Sequence, residues 1–450
     1  LQKALKNLVK NSMSAPSQIQ LAFYGDDFTG STDALEFACR AGARAVLFIE
    51  PPDTSVLTRF PGIDVIGVAG KTRSLAPDEM ELELTEAFGK LKEFRPRHIH
   101  YKVCSTFDSS PAVGSIGRVM DVGSKVFSSR LIPVLGGTPS LGRYCVFGNL
   151  FARMGIGSNG AIYRLDRHPS MIKHPVTPAD ESDLRLHIQK QTNRQLALID
   201  IVQMQKPVAE WHQAIKGEEA VLIDAAEEQQ LEKIGEWLDA QIDYNTPLFS
   251  IGSSAVEVAL GTVWNKKQSI QPRHSWPRPG KAEPLLVVSG SCSPVAAGQI
   301  KWAKENGFEE IVLDAVTICN EGVPRSILQS VSDLLSGDKN VLVHTGAKDS
   351  ANLSSQKLGT ALGDIAREAV EKCKIKRVVI AGGDTSSYAA RAMQIEAVEI
   401  IAPLVAGAPL CKAYSANPAI NGLEVNFKGG QVGAANYFGV LREGRMMNDE

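Results

Sequence analysis

The chain has 450 residues, 44% hydrophobic and 22% charged, and its 48 basic and 50 acidic residues leave a formal net charge of -2 at pH 7. That balance gives no electrostatic case for nucleic acid or a membrane surface as partner, and no apolar run is long enough to span a bilayer. The length exceeds one ordinary core and predicts two domains.

Residues 1–18 carry Lys3, Lys6 and Lys10 among leucines but lack the apolar segment of a secretory signal. They read as a disordered leader or expression remnant, with Met13 a plausible beginning, and are set aside. The seven cysteines, Cys39, Cys104, Cys145, Cys292, Cys319, Cys373 and Cys411, are odd in number and form no C-x-x-C pair. That pattern argues against a disulfide framework and for a reducing, cytoplasmic home.

The first predicted strand, Ile19 to Tyr24, opens onto Gly25-Asp26-Asp27-Phe28-Thr29-Gly30-Ser31-Thr32-Asp33. Ala34, Leu35, Ala38 and Ala41 then recur at helical spacing until Gly42. The run reads as strand, acidic loop and helix N-terminus, and ligands of an open α/β sheet bind at such carboxyl ends. Two adjacent carboxylates repel each other and call for a cation, a metal or a proton in flight. Capping the helix accounts for one acid and leaves the other for chemistry.

Strands are predicted next at Ala45–Ile49 and Val65–Ala69, then a helix from Asp78 to Lys92 and a strand from His98 to Val103. Strands separated by helices imply βαβ units and a mostly parallel sheet. Arg73 follows the third strand, and Lys102 closes the one that runs into Cys104-Ser105-Thr106. Alone, Arg73 reads as a surface ion pair, whereas Lys102 ends an otherwise apolar strand. Arginine and lysine near two aspartates, with the hydroxyls of Ser105 and Thr106, suit a small, hydroxylated, anionic substrate. Leu131 to Leu135 reads as a further strand whose Pro133 points to an edge or bulge. A loop-rich region follows, where His168 and His174 lack acidic or cysteine partners at ligand spacing and read as satisfied loop histidines or lid contacts. More strands are expected at Ala197–Ile199, Val221–Ile223 and Leu248–Ile251.

Residues 268–284 hold four prolines and little periodicity, and read as a linker. Beyond it, apolar strands repeatedly end in small residues: Ser289-Gly290-Ser291-Cys292-Ser293, Thr345-Gly346, Gly382-Gly383-Asp384-Thr385 and Gly429-Gly430. Glycine lets backbone amides approach a polyphosphate, and helix N-termini add positive dipole ends. Asp384 among them is placed to hold Mg²⁺ or orient a nucleophile. No Walker A run occurs, and none of these glycine turns is a G-x-G-x-x-G.

Five separated runs, Tyr24–Gly30, Lys102–Asp108, His174–Pro178, Ser289–Ser293 and Gly382–Thr385, resemble those of the four-carbon acid sugar kinases, in the same order and over nearly the whole chain after the leader. The resemblance implies two three-layer α/β domains with mostly parallel sheets and an active-site cleft between them. It implies ATP-dependent phosphorylation of a terminal hydroxyl on threonate, erythronate, a 3-oxo-tetronate or a related branched five-carbon oxo-acid. Residues 19–267 would hold the acid and residues 285–450 the ATP with its Mg²⁺. By motif match Asp26, Asp27, Arg73, Lys102, Val103, Cys104 and Ser105 would contact the acid. Ser289, Gly382, Gly383, Asp384, Thr385, Gly429 and Gly430 would contact ATP. An aspartate of the acidic loop, or Asp384 instead, would take the hydroxyl proton. A dehydrogenase or aldolase of sugar acids would use similar charges, but the former needs a dinucleotide fingerprint between a strand and a helix, and the one G-x-G-x-x-G, at residues 155–160, falls in the loop-rich region. A two-domain sugar-acid sensor has no use for the glycine-rich second domain. The sequence leaves a homo-oligomer open.

Overall fold

In the first half of the chain, β1 (Leu21–Gly25), β2 (Ala45–Phe48), β3 (Val65–Ala69) and β4 (His98–Lys102) are buried along their whole length. Burial on both faces is what a parallel sheet sandwiched by helices requires, and it explains their continuous rather than alternating apolarity. Helix α1 (Phe28–Arg40) follows β1, and α2 (Pro77–Glu93) and α3 (Ile116–Phe127) cover the opposite face. The computed structural model describes residues 18–154, 160–174, 176–243, 246–346 and 353–446. Nearly all of the leader lies outside them.

The half is completed by β5 (Ile132–Leu135), β9 (Leu196–Ile199), β10 (Ala220–Ile223) and β11 (Leu248–Gly252), the last running into α4 (Ala255–Lys266). Pro133 does not mark an edge, because β5 lies between β11 and β10. Pairing of β5 with β11 covers only Val134 and Leu135, so the proline falls just outside that ladder. The loop-rich region contains an antiparallel meander, β6 (Arg143–Val146), β7 (Asn149–Arg153) and β8 (Ile162–Arg164). Its tight turn puts both Phe147 (φ 49) and Gly148 (φ 79) in the left-handed region. Both turn amides donate to the Asp224 carboxylate, at 2.6 and 2.9 Å.

After a coil from residue 271 to 282, the second half repeats the pattern with β12 (Leu286–Ser289), α5 (Pro294–Glu305), β13 (Phe308–Val312) and β14 (Asn340–His344). Helix α6 (Ser355–Cys373) leads to β15 (Arg377–Ala381) and α7 (Gly383–Ala392). A hairpin, β16 (Ala397–Val405) and β17 (Ala408–Tyr414), precedes β18 (Glu424–Lys428) and α8 (Tyr437–Glu443).

The two halves share one sheet of fifteen strands, ordered β13-β14-β12-β15-β18-β17-β16-β2-β3-β1-β4-β11-β5-β10-β9. The seam is antiparallel, with Ala397 opposite Phe48 and Val398 opposite Leu47. Register shifts after Ile400 and Ala402 break β16, and bulges of that kind increase local twist. Strands of the two halves run in opposite senses across the seam, yet their carboxyl ends meet. Phe28 packs on Phe427 with ring centroids 4.6 Å apart. The Thr29 hydroxyl lies 4.0 and 3.9 Å from where a Cβ would stand on Gly383 and Gly429. Glu36 of α1 accepts the Gly407 amide of the β16–β17 turn at 3.0 Å.

Candidate active site

The acidic loop is a saturated ion cluster. Asp27 has extended backbone (φ -141, ψ 167) and caps α1, its Oδ1 accepting the Gly30 amide at 2.7 Å. Its Oδ2 accepts Arg73 Nη1 at 2.7 Å and the Thr29 hydroxyl at 3.1 Å. Asp26 takes the rest of the arginine fork, Nη2 on Oδ1 at 2.8 Å and Nε on Oδ2 at 3.1 Å, together with the Cys104 amide at 3.2 Å. All four carboxylate oxygens and all three guanidinium nitrogens are therefore partnered. Burial raises the Asp26 carboxyl above the usual range, the Arg73 charge opposes that rise, and Asp27 adds to it. The Asp26 side chain is 4% exposed and that of Asp27 20%, so Asp27 offers more of its carboxylate to a ligand.

The structure brings Asp26, Asp27, Arg73 and the turn at Cys104 together, and it sets Lys102 apart from the cleft. Lys102 ends a buried row, His98, His100 and Lys102, that faces α1 and α4. His98 bonds Ser250 at 2.7 Å and His100 bonds Glu257 at 2.6 Å. The Lys102 ammonium donates to the Val103 carbonyl at 3.0 Å and sits 3.3 Å from where a Cβ would stand on Gly30. It supports the first turn of α1 from below, near Asp33, whose carboxyl is raised by burial and accepts the Ser254 hydroxyl. Val103 is buried in the core. Burial pushes the Cys104 thiol up to about 11, and the thiol lies 3.1 Å from the Thr106 hydroxyl.

Ser105 Oγ accepts from Arg143 Nε at 3.1 Å. Arg143 is a buried basic residue beside this turn that sequence reasoning did not single out. It is 8% exposed, its Nη1 donates to the Leu141 carbonyl at 2.7 Å, and no carboxylate pairs with it among the described residues. A Gly-Arg pair opening a short strand was the available signal, and nothing local marked it as buried.

Opposite the acids lie the glycine turns. Gly382 adopts φ +126 and donates its amide to the Lys428 carbonyl at 2.9 Å. A Cβ on either Gly290 or Gly382 would collide with the Thr385 hydroxyl, and one on Gly430 would stand 2.8 Å from Ser291 Oγ. Side chains at these positions would close the space between the turns. Ser293 caps α5 by accepting the Ala296 amide at 3.0 Å, and its hydroxyl donates to the Gly430 carbonyl. Ser289 is buried with its hydroxyl unpartnered among the described residues. Asp384 lies in the first turn of α7, and its side chain is outside what the structure describes.

A cleft of about 380 Å³ joins the two sides. Asp26, Asp27, Arg73, His174 and Thr177 line it from one half, and Ser355, Gly383, Ser387 and Tyr388 from the other. His174 is both a satisfied loop histidine and a cleft residue. Its Nδ1 accepts the Thr177 amide at 3.1 Å; Pro175 between them lies outside the described residues. No group of three or more His, Cys, Asp or Glu side chains that could hold a metal ion occurs among the described residues. The donor set fits a magnesium ion carried by phosphate oxygens with one or two carboxylates, and does not fit a protein-built cage. Among the described residues no helix is long and apolar enough to cross a membrane.

Residues 21–260 match a family described as a sugar-binding N-terminal domain, and residues 286–438 one described as a nucleotide-binding C-terminal domain. The chain is 38% identical to a 3-oxo-isoapionate kinase of Paraburkholderia graminis over 97% of each chain. It is 26% identical to a 3-oxo-tetronate kinase of Cupriavidus necator, over 93% of this chain and 95% of that one. Among solved structures, one from Salmonella typhimurium LT2 bearing a tRNA synthase name superposes with a TM-score of 0.76 at 22% identity, covering 94% of this chain and 99% of the other. At that identity it speaks for the fold alone.

Proposed function

The chain belongs to the four-carbon acid sugar kinase family and is a kinase of small sugar acids; from that premise we propose that it transfers the γ-phosphoryl group of Mg-ATP to a terminal hydroxyl of a 3-oxo sugar acid. The two kinase relatives share a 3-oxo acid in their names, which favours that class over threonate and erythronate. Residues 19–267 hold the acid, residues 285–450 hold ATP, and residues 268–284 link them. The reaction takes place in the cytoplasm.

One observation carries the reading: the aspartate pair and Gly383 at the head of α7, far apart in sequence, line a single cleft. Phosphoryl transfer needs in-line placement, neutralised charge and a proton acceptor more than it needs covalent help. Arg73 pairs with both adjacent carboxylates and offsets their charge beside incoming phosphates. Asp27 spends Oδ1 on the helix cap and keeps Oδ2 toward the cleft, so cap and base divide by oxygen atom rather than by residue. With its fork engaged, Arg73 meets the substrate carboxylate only by exchanging partners, and Arg143 beside Ser105 is the carboxylate's alternative donor. A magnesium ion carried by ATP would supply charge neutralisation across the phosphates, and Asp384 at the head of α7 would be its protein contact.

The test is ADP release by the pure protein with Mg-ATP against a panel of 3-oxo acids, threonate, erythronate and branched five-carbon oxo-acids. Turnover concentrated on the 3-oxo acids is expected. Turnover of threonate or erythronate alone would remove the 3-oxo assignment, and none with any acid would remove the reading.

A further inference from the structure

β14, β12, β15 and β18 finish in register, with His344, Ser289, Ala381 and Lys428 side by side at their carboxyl ends. In-register residues of parallel strands point to the same face. That face is the one where Val287, Ala381, Ala303 of α5 and Tyr437 of α8 share a core. His344 is satisfied, bonding Glu310 at 2.9 Å and accepting the Gly346 amide at 2.9 Å. Ala381 asks for nothing. The Ser289 hydroxyl and the Lys428 ammonium, 1% and 0% exposed, have no hydrogen-bond partner among the described residues.

An ammonium carries three donors, and a fully buried one is almost always paired. The neighbour Lys428 does have is the ring of Tyr437, whose centroid is 5.5 Å away. A ring face attracts a cation without accepting its hydrogen bonds in full. The Tyr437 hydroxyl is itself committed to Asn426 at 2.7 Å. Burial with no opposing carboxylate pulls the Lys428 ammonium down to about 8. The surroundings are those of an anion site. Gly429 and Gly430 follow the lysine directly, the Ser293 hydroxyl ties the start of the twelve-residue α5 to the Gly430 carbonyl, and the small Ala381 separates lysine from serine.

We propose that Lys428 is a phosphate-binding residue of the nucleotide site, its ammonium and the Ser289 hydroxyl receiving phosphate oxygens and lacking partners until the nucleotide arrives. The inference rests on the reading of residues 285–450 as the ATP-binding half. A nucleotide phosphate supplies both the counter-charge and the acceptors that the protein leaves out.

Thermal melting of the full chain with no ligand, adenosine, ADP or ATP tests it, on wild type, K428M and K428Q. Wild type should gain stability from ADP and ATP. K428M, which trades a partnerless charge for an apolar chain of similar length, should melt at or above wild type without ligand. Both variants should lose most of the ADP and ATP increments and keep any from adenosine. Their KM for ATP should rise at least tenfold while that for the acid stays within twofold. Either folded variant keeping the full ATP increment and KM overturns the inference, and K428M melting far below wild type with that increment kept marks a structural lysine. A wild type that gains nothing from any nucleotide removes the ATP-binding reading and the inference with it.

Discussion

At the carboxyl end of β1 every polar atom of the acid pair has a protein partner, whereas at the carboxyl ends of β12 and β18 a buried hydroxyl and a buried ammonium have none among the described residues. The two halves thus prepare for charge in opposite ways. A cluster neutralised in advance needs little reorganisation when chemistry starts, which is the use of a preorganised electrostatic site. Unpartnered buried groups do the reverse, because a ligand that completes them gains what the empty protein forgoes. On the proposed assignment, the acid side is built for the reaction and the nucleotide side for capture.

The sharpest way to break that contrast is Asp27→Asn. Asparagine caps a helix about as well as aspartate and Arg73 keeps both bonds to Asp26, so the variant should stay folded and lose less stability than Arg73→Ala. Loss of the proton acceptor should lower kcat by about 10²–10⁴-fold while both substrates still bind. Rapid-quench turnover alongside calorimetric binding measures both. A near-normal kcat here with a crippled, folded Asp26→Asn would move the base to Asp26.

Arg73→Ala comes next. It strips the counter-charge from two adjacent carboxylates, one of them buried, and breaking a buried pair from one side costs about 3–5 kcal/mol. Denaturant titration should show that loss. Arg143→Ala breaks no ion pair among the described residues, so it should leave stability closer to wild type and chiefly raise KM for the acid, with KM for ATP unchanged. If Arg73→Ala is stable and changes only the acid's KM, its fork serves the substrate and the acid pair does not depend on it.

Gly383→Val probes the other side more gently. The nearest atom to a Cβ there is the Thr29 hydroxyl at 4.0 Å, so the folded protein has room for it, although a branched side chain suits a helix start less well. The variant should fold and bind ATP at least tenfold more weakly in a calorimetric titration. At Gly430 the same change would press on Ser291, so a loss of ATP binding there would mix ligand and fold effects. Normal ATP affinity in folded Gly383→Val would take the phosphates away from α7.

Local pattern made much of this legible. The strand, acidic loop and capped helix at residues 21–40, and the glycine-ended strands at Ser289, Gly382 and Gly429, stand where periodicity and turn residues predict them. What stayed hidden depends on pairing between distant segments. No local signal says that β16 joins β2 and makes one sheet of the two halves. The tight turn at Phe147-Gly148 lacks the usual asparagine or aspartate, and the Asp224 carboxylate that satisfies its amides comes from far along the chain. Glu424, Asn426 and Lys428 alternate with apolar residues as if that face of β18 met water. In the structure α8 covers it, and the lysine ends in the core.

Glu36 lies between the two extremes, and its effect is confined to a difference between two pH values. It sits on the helix that Asp27 caps, with Oε1 accepting Arg40 Nε at 2.9 Å and Oε2 accepting the Gly407 amide of the other half at 3.0 Å. Burial raises its carboxyl from 4.5 to about 7, against the opposing pull of Arg40. A carboxyl raised on folding binds its proton more tightly in the native state. Its contribution to stability is therefore fully present below about pH 4.5 and is lost as pH rises through about 7. Glu36→Gln keeps an acceptor for Gly407 without the charge, so it should match wild type near pH 5 and exceed it near pH 8 by on the order of 1–3 kcal/mol. Denaturant midpoints at the two pH values decide it. A variant that is less stable than wild type at pH 8 would show that the ionised Glu36, held by Arg40 and Gly407, outweighs the burial that opposes it.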